Sequence, residues 1–266
     1  MNPHHTMDTI AAFIRVRISE SGTSGAVIGL SGGIDSAVVA YLAVAAVGSE
    51  NVLAIMLPVQ ELTPGYDTDD AVSVANRLGI EYRVIEVGDV LRGFSDLIPE
   101  YDPGAVVASG NLTARIRMCV LYYYANLMNR LVIGTGNRTE LLLGYATKHG
   151  DAGVDIEPIG DLYKTEVFEL AGFLGVPERI IRKAPSARLW AGQTDEGELG
   201  MRYSDIDRIL RMLVDEQLSA DEIEAQGVPG DAVRRLTNLI RISVHKRHPP
   251  QNAVVRDCGG DRNNNV

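Results

Sequence analysis

Residues 29 to 36 read Gly29-Leu30-Ser31-Gly32-Gly33-Ile34-Asp35-Ser36, a spacing of small and hydroxyl side chains that can surround an anion. Two adjacent glycines let backbone N–H groups approach phosphate oxygens, and Ser31 and Ser36 can donate hydrogen bonds. A helix starting directly after the turn would aim its positive end at the same point. A polyphosphate suits that description. Asp35 looks misplaced beside an anion until a divalent cation is added, because a carboxylate that holds Mg²⁺ against phosphates attracts them. A plain tight turn with Asp35 as capping residue is the bland alternative. Two other motifs compete. The chain has no Gly-Lys dipeptide and no G-x-G-x-x-G after a strand, which removes support for P-loop kinases and dinucleotide-binding domains. Gly29, Ser31 and Gly33 do satisfy G-x-S-x-G, the nucleophile elbow of serine hydrolases, with His245 or His248 late in the chain. Against it, no HGGG-type segment is present, and His245 stands in a basic, helical run.

The elements around this turn alternate. AVIGLS (26–31) is short, apolar and β-branched on both faces, as a strand buried in a parallel sheet should be. A first amphipathic helix carrying Ile10, Phe13, Ile14 and Ile18 precedes it, and a helix of small residues from Ser36 follows. NVLAIMLP (51–58), EYRVIEV (81–87) and LVIGTG (131–136) supply three more strands. A helix ending at Gly79, with Ala71, Val72, Ala75 and Leu78 on one face, and a long helix over 111–130 lie between them. Such alternation predicts a doubly wound, mainly parallel α/β sheet with ligands at the carboxyl ends of its strands. Residues 144–160 have no period and many polar groups, and a loop of that length is usually functional. From Leu162 onward the pattern is helical, with capping boxes expected at Ser204/Asp207 and Ser219/Glu222. No linker separates a second domain, so residues 1–266 are expected to form one unit, with 257–266 a disordered tail.

Composition narrows the function classes. With 45% hydrophobic residues and 25 basic against 35 acidic ones, the net charge is −10, which argues against a nucleic-acid surface, since that needs a positive field. Cys119 and Cys258 lie far apart with no CxxC, giving no disulfide framework or zinc site. Cys119 is expected to be buried on its helix. No run of about 18 apolar residues exists and MNPHHTMDTI lacks the order of a secretory signal, so a cytoplasmic protein without membrane contact is expected.

SGGIDS (31–36) resembles the pyrophosphate loop of the N-type ATP pyrophosphatases, a superfamily that cleaves ATP between the α and β phosphates. Within it, NLTARIRM (111–118), GTGNRTELLLGYATKHGD (134–151), LYKTEVFELAGFLG (162–175), PSARLW (185–190), QTDEGELGMRYSDID (193–207) and HKRHPP (245–250) resemble the NAD synthetases, in the same order, over about residues 25–250. The 134–151 block is far more specific than the loop alone. The resemblance implies an adenine nucleotide α-hydrolase-like fold with a helical C-terminal part. It also implies a ligase that converts deamido-NAD to NAD with ATP and ammonia through an adenylate, releasing AMP and pyrophosphate.

By that resemblance, Gly29, Leu30, Ser31, Gly32, Gly33, Ile34, Asp35, Ser36, Met56, Thr135, Lys164 and Ser186 bind ATP. Asp35 and Glu140 hold Mg²⁺. Arg115, Lys148, Asp155, His245 and Lys246 bind deamido-NAD. Ser186 stands where a threonine is usual and keeps the hydroxyl. Asp151, Lys148 and Lys164 are the catalytic candidates: Asp151 to hold ammonium near the reacting carbonyl, Lys148 on a loop that closes over the adenylate, and Lys164 to place positive charge by the phosphates. Without the resemblance, Lys164 would be read as a solvated helix-face lysine and Asp151 as part of a loop turn. A chain of 266 residues cannot also carry an amidase domain, so the expected nitrogen donor is ammonia unless a separate glutaminase subunit docks. The long helix, apolar over more than one face, is expected to pair in a symmetric homodimer with the substrate site at the interface. A tRNA-modifying ATP pyrophosphatase is the alternative; it would need a basic surface and commonly a reactive cysteine pair.

Overall fold

The computed structural model describes residues 1–190 and 192–253. The expected tail at 257–266 and Cys258 lie outside the described residues. Helix α1 (Pro3–Glu20) is capped by the Asn2 side chain and leads into β1 (Ala26–Gly29), whose Ala26, Val27 and Ile28 are fully buried. Then come α2 (Ile34–Val47), β2 (Val52–Met56), α3 (Gly65–Leu78) and β3 (Glu81–Val84). Helices α4 (Gly88–Leu97) and α5 (Val106–Met128) precede β4 (Leu131–Ile133), and α6 (Arg138–Leu143) follows it. The four strands pair in parallel in the order β3-β2-β1-β4. Parallel strands covered on both faces must be apolar throughout, and β1 and β2 are. β3 is the edge strand and carries the polar Glu81 and Arg83.

The helical part comprises α7 (Lys164–Leu174), α8 (Glu178–Ile181), α9 (Asp195–Leu199), α10 (Tyr203–Leu210) ending in a π-helical turn at Arg211–Asp215, α11 (Ala220–Ala225), α12 (Gly230–Ile242) and α13 (Val244–Arg247). Three apolar clusters divide the interior. One joins α1, α2 and α7 to one sheet face, and a second packs α5 against the other. The third knits the C-terminal helices together through Ile206, Leu210, Val233 and Leu236.

Several expectations need correction. Phe13 lies on the exposed side of α1 while Ile10, Ala11, Ile14 and Ile18 face inward. Cys119 is on α5 as expected but exposed. The long helix starts at Val106, five residues earlier than its apolar pattern, because Val106 and Val107 are exposed and break the periodicity. The Ser219/Glu222 capping box forms, whereas the Ser204/Asp207 box does not. Helix α10 already starts at Tyr203, and the buried Asp207 accepts instead from Thr139 Oγ1 at 2.5 Å and the Thr165 N–H at 2.8 Å. A tertiary demand has taken the carboxylate that local pattern assigned to a cap. Among the described residues no helix is long and apolar enough to cross a membrane.

Candidate active site

The turn after β1 enters α2 with Gly33 as N-cap and no side chain capping it. The first-turn N–H groups of α2 are therefore left for an outside acceptor, which is the condition for an anion site. Gly32 has φ +80°, in the left-handed region, and an added Cβ would collide with the Asp67 carbonyl at the start of α3. Only glycine fits there. The hydroxyls are pre-arranged: Ser36 Oγ accepts from the Ser31 N–H at 3.2 Å and donates to the Gly33 carbonyl, and Ser31 Oγ accepts from the Gly33 N–H at 3.2 Å. Ser31 and Ser36 share a further hydroxyl contact of 3.1 Å. These contacts of Ser31 are with Ser36 and Gly33, and among the described residues none is with a histidine, so nothing here favours the serine-hydrolase reading.

Beside the turn, three elements converge on one ammonium. Lys164 is the first residue of α7 and its side chain is 1% exposed. Its Nζ donates to Asp35 Oδ2 at 2.6 Å and to Glu140 Oε1 at 3.1 Å. Burial by itself would lower its pKa, but the two carboxylates outweigh that and hold it above the ordinary lysine value. Glu140 moves upward: burial disfavours its charge, Lys164 opposes that, and Asp35 adds to it. Sequence reading missed the residue that joins these groups. Asn137, fully buried, donates from Nδ2 to Asp35 Oδ1 at 3.0 Å, while its Oδ1 caps the Glu140 N–H and Glu140 Oε2 accepts from the Asn137 N–H. The N-x-x-E spacing of a capping box was the available signal. Tyr203 was also missed. Its ring lies 5.1 Å from Lys164 Nζ, and its phenol, pushed up by burial and by Glu140, Asp195 and Asp35, donates to Asp195 Oδ2 at 3.1 Å.

Among the described residues no group of three or more His, Cys, Asp or Glu is placed to hold a metal by itself. Asp35 and Glu140 offer two hard carboxylates, 18% and 16% exposed. Their surplus of negative charge against one ammonium fits a Mg²⁺ that takes its other oxygens from phosphates and water.

The remaining expected residues do not all converge. At the 144–160 loop, Lys148 Nζ donates to the His245 carbonyl at 2.7 Å, Arg115 donates to the Lys148 carbonyl at 3.3 Å, and Lys246 Nζ grips the carbonyls of Gly144 and Ala146. Asp151 Oδ1 accepts the Thr147 N–H at 2.7 Å, closing the turn. Lys148, Arg241, Val244, His245 and His248 line a cavity of about 450 Å³. Asp155 faces elsewhere, accepting from Tyr122 and from the β4 residue Val132. Met56 is buried at the end of β2. Ser186 donates to the Gln193 carbonyl within its own loop, and among the described residues no hydrogen bond connects Ser186 or Thr135 to the Lys164 cluster.

Comparison with known proteins settles the family. The NAD synthase family model matches residues 6–250. This chain belongs to the NAD synthase family. It is 51% identical over 257 residues to an NH(3)-dependent NAD(+) synthetase of Archaeoglobus fulgidus, covering 97% of this chain and 99% of that one. A Methanococcoides burtonii protein of the same name is 50% identical over 254 residues, with 96% of each covered. Among solved structures, an NH3-dependent NAD synthetase from Campylobacter jejuni matches with TM-score 0.80 and 34% identity, over 95% of this chain and 99% of that one. An NMN synthetase from Francisella tularensis matches with TM-score 0.84 and 37% identity, over 96% and 99%.

Proposed function

We propose that this member of the NAD synthase family is an ammonia-dependent NAD synthetase, a ligase that uses ATP to amidate deamido-NAD. The observation that carries the site assignment is the convergence of Asp35, Glu140 and Lys164 beside the uncapped start of α2. A carboxylate is a poor acyl donor because its leaving group would be an oxide. Attack of a nicotinate carboxylate oxygen on the α-phosphorus of ATP forms a P–O bond and breaks the α–β bridge, so pyrophosphate leaves. Ammonia then attacks the carbonyl carbon, loses a proton, and AMP departs with the former carboxylate oxygen.

Ser31, Ser36 and the N–H groups of the α2 first turn bind the phosphates, and Lys164 stabilises the charge that develops on the departing pyrophosphate. Asp35 and Glu140 are the carboxylates that would hold a Mg²⁺, which would supply charge neutralisation at the phosphates. Asn137 orients Asp35 by the amide that also starts α6. Thr135, Ser186 and Met56 complete the ATP site with Gly29, Leu30, Gly32, Gly33 and Ile34. The dinucleotide acid lies toward the cationic cavity that Lys148 and His245 line, with Arg115 and Lys246 reaching it from the backbone of the 144–160 loop that they hold; Asp155, bonded to Tyr122 and Val132, would have to turn from those partners to join it. Lys148 and Lys246 exchange backbone carbonyls for the ligand's anionic groups, and Asp151 accepts the proton that ammonium releases. Exposed Tyr123 and Leu127, 65% and 67%, provide the face of α5 through which a homodimer forms; sedimentation showing a monomer alone at working concentration would reject it.

The test is separation of the products formed from ATP, Mg²⁺, deamido-NAD and ammonium. NAD, AMP and pyrophosphate in equal amounts are expected, and ADP would overturn the mechanism. Glutamine replacing ammonium as donor would overturn ammonia dependence. Because one structural relative bears the name NMN synthetase, the mononucleotide acid is offered in parallel. Preference for it would overturn the dinucleotide assignment.

A further inference from the structure

Behind the glycine turn lies a second ionic cluster that the reaction above does not use. Lys183 follows the short helix α8, and its side chain is 16% exposed. Its Nζ has three acceptors: Asp67 Oδ1 at 2.6 Å, Asp70 Oδ2 at 2.5 Å and the Gly32 carbonyl at 3.0 Å. Asp67 and Asp70, on α3, are 5% and 9% exposed. Asp67 is also paired with Arg188 Nε at 2.9 Å, and Asp70 with Arg179. The Tyr66 ring lies 5.4 Å from the ammonium. An ammonium has three protons, so these acceptors use its whole donor capacity. Lys183 is therefore not an idle phosphate ligand waiting at the site.

Its hold on Gly32 has a geometric consequence. In a trans peptide the C=O and the following N–H point in opposite directions across a rigid plane. Fixing the Gly32 carbonyl on Lys183 thus fixes the Gly33 N–H on the other side. That N–H does point to Ser31 Oγ, on the hydroxyl-lined side of the turn. Glycine at φ +80° has no side chain to resist a peptide flip, and a flipped peptide would present a carbonyl oxygen to the phosphates. Asp67 also restrains the turn sterically through its own carbonyl against the Gly32 Cα.

We propose that Lys183 is a positioning residue for ATP: anchored by Asp67 and Asp70, it locks the Gly32–Gly33 peptide with its N–H toward the phosphate site. The proposal rests on the reading of this turn as the ATP site. It couples the chain segment that carries Ser186 to the turn that carries Ser31, so both halves of the nucleotide site are set by one ammonium.

The test compares Lys183→Met, Lys183→Arg and the wild type. Each is measured for the KM of ATP, of deamido-NAD and of ammonium, for kcat, for equilibrium binding of a non-cleavable ATP analogue, and for thermal unfolding. Loss of a hydrogen bond to a charged group is expected to raise the KM for ATP about 10- to 100-fold in Lys183→Met, with analogue binding weakened in step. The KM values for deamido-NAD and ammonium should change less than about threefold by the same reasoning. Lys183→Arg keeps the charge between Asp67 and Asp70, so it holds the fold, while its planar fork places a donor differently; an intermediate KM for ATP is expected. Should Lys183→Met not fold, Lys183→Arg carries the decision. A folded variant with wild-type analogue binding overturns the proposal, as does an equal loss in all three KM values and kcat. If the wild type binds the analogue yet forms no NAD, the functional reading fails while the Lys183 comparison by analogue binding still stands or falls by itself.

Discussion

The cluster at the strand ends and the loop over the cationic cavity satisfy their charges in opposite ways. At Lys164 the ammonium is paired with carboxylates drawn from α2 and α6, and at Lys183 with carboxylates from α3. At the loop, Lys148, Lys246 and Arg115 are satisfied by backbone carbonyls. A buried ion pair is costly to break because the partner left behind is an uncompensated charge. A lysine on a carbonyl gives up a neutral acceptor, and a phosphate or carboxylate is a better one. The first arrangement holds a site in place before substrate arrives, and the second leaves cations available for exchange. On the proposed reading the molecule thus has a fixed nucleotide end and an adaptable acceptor end.

The sharpest way to break this contrast is Lys164→Met. It strands Asp35 and Glu140 facing each other, and an expected loss of about 3–5 kcal/mol in denaturant unfolding accompanies loss of NAD formation. Unchanged stability would show that the pair is not what holds the strand ends together. Asp35→Asn retains the shape and can keep the Asn137 contact through its one amide oxygen, but it turns an NH2 group toward the Lys164 ammonium. It should slow AMP release about 100-fold or more and lower the melting temperature, by less than Lys164→Met because Glu140 still pairs with Lys164. Near-normal turnover would remove Asp35 from the reaction.

A pH experiment probes the seam between the two ends. Glu157 lies under Gly134 and Gly136, accepting the Gly136 N–H at 2.9 Å. Burial pushes its carboxyl up to about 8, with Glu140 and Asp151 adding to the rise and the Gly136 N–H opposing it. The folded protein therefore binds a proton here that the unfolded chain releases at the ordinary glutamate value. Stability should fall as pH rises from about 4.5 to 8, by an amount on the order of 3–5 kcal/mol, and Glu157→Gln should remove that slope. An identical pH profile for the variant in urea titration would contradict it. At the adaptable end the expected effect is smallest: Lys246→Met should cost about 1 kcal/mol of stability and raise the KM for deamido-NAD, with the KM for ATP unchanged. The reverse pattern in KM would erase the distinction between the ends.

How much of this was readable in the sequence follows from the range of each interaction. β1 and its glycine turn were legible because a run of buried apolar residues and two adjacent glycines are local signals. Asp35, Glu140 and Lys164, which the family resemblance assigned to the phosphates and their metal, lie in contact with one another. Local pattern alone made Lys164 a solvated lysine; its burial depends on α7 packing against α10. Asp207 was misread for the same reason, since Thr139 lies 68 residues away in sequence. Helix α6 is six residues long, too short for a periodic signal, although its capping spacing was visible. Cys119 was placed on the wrong face because α5 is apolar nearly all round, so composition does not say which side is covered.

The strand order adds a constraint on timing. β1 sits between β2 and β4, and the two carboxylates stand on segments following β1 and β4, while their counter-charge comes later still, at residue 164. A ribosome that has delivered only the first half of the chain has produced the glycine turn and an Asp35 whose ammonium partner, Lys164, is not yet made. On the reading proposed for this turn, the cluster that serves it is complete only once residue 164 has emerged, so a nascent chain that stops before α7 is expected not to retain nucleotide.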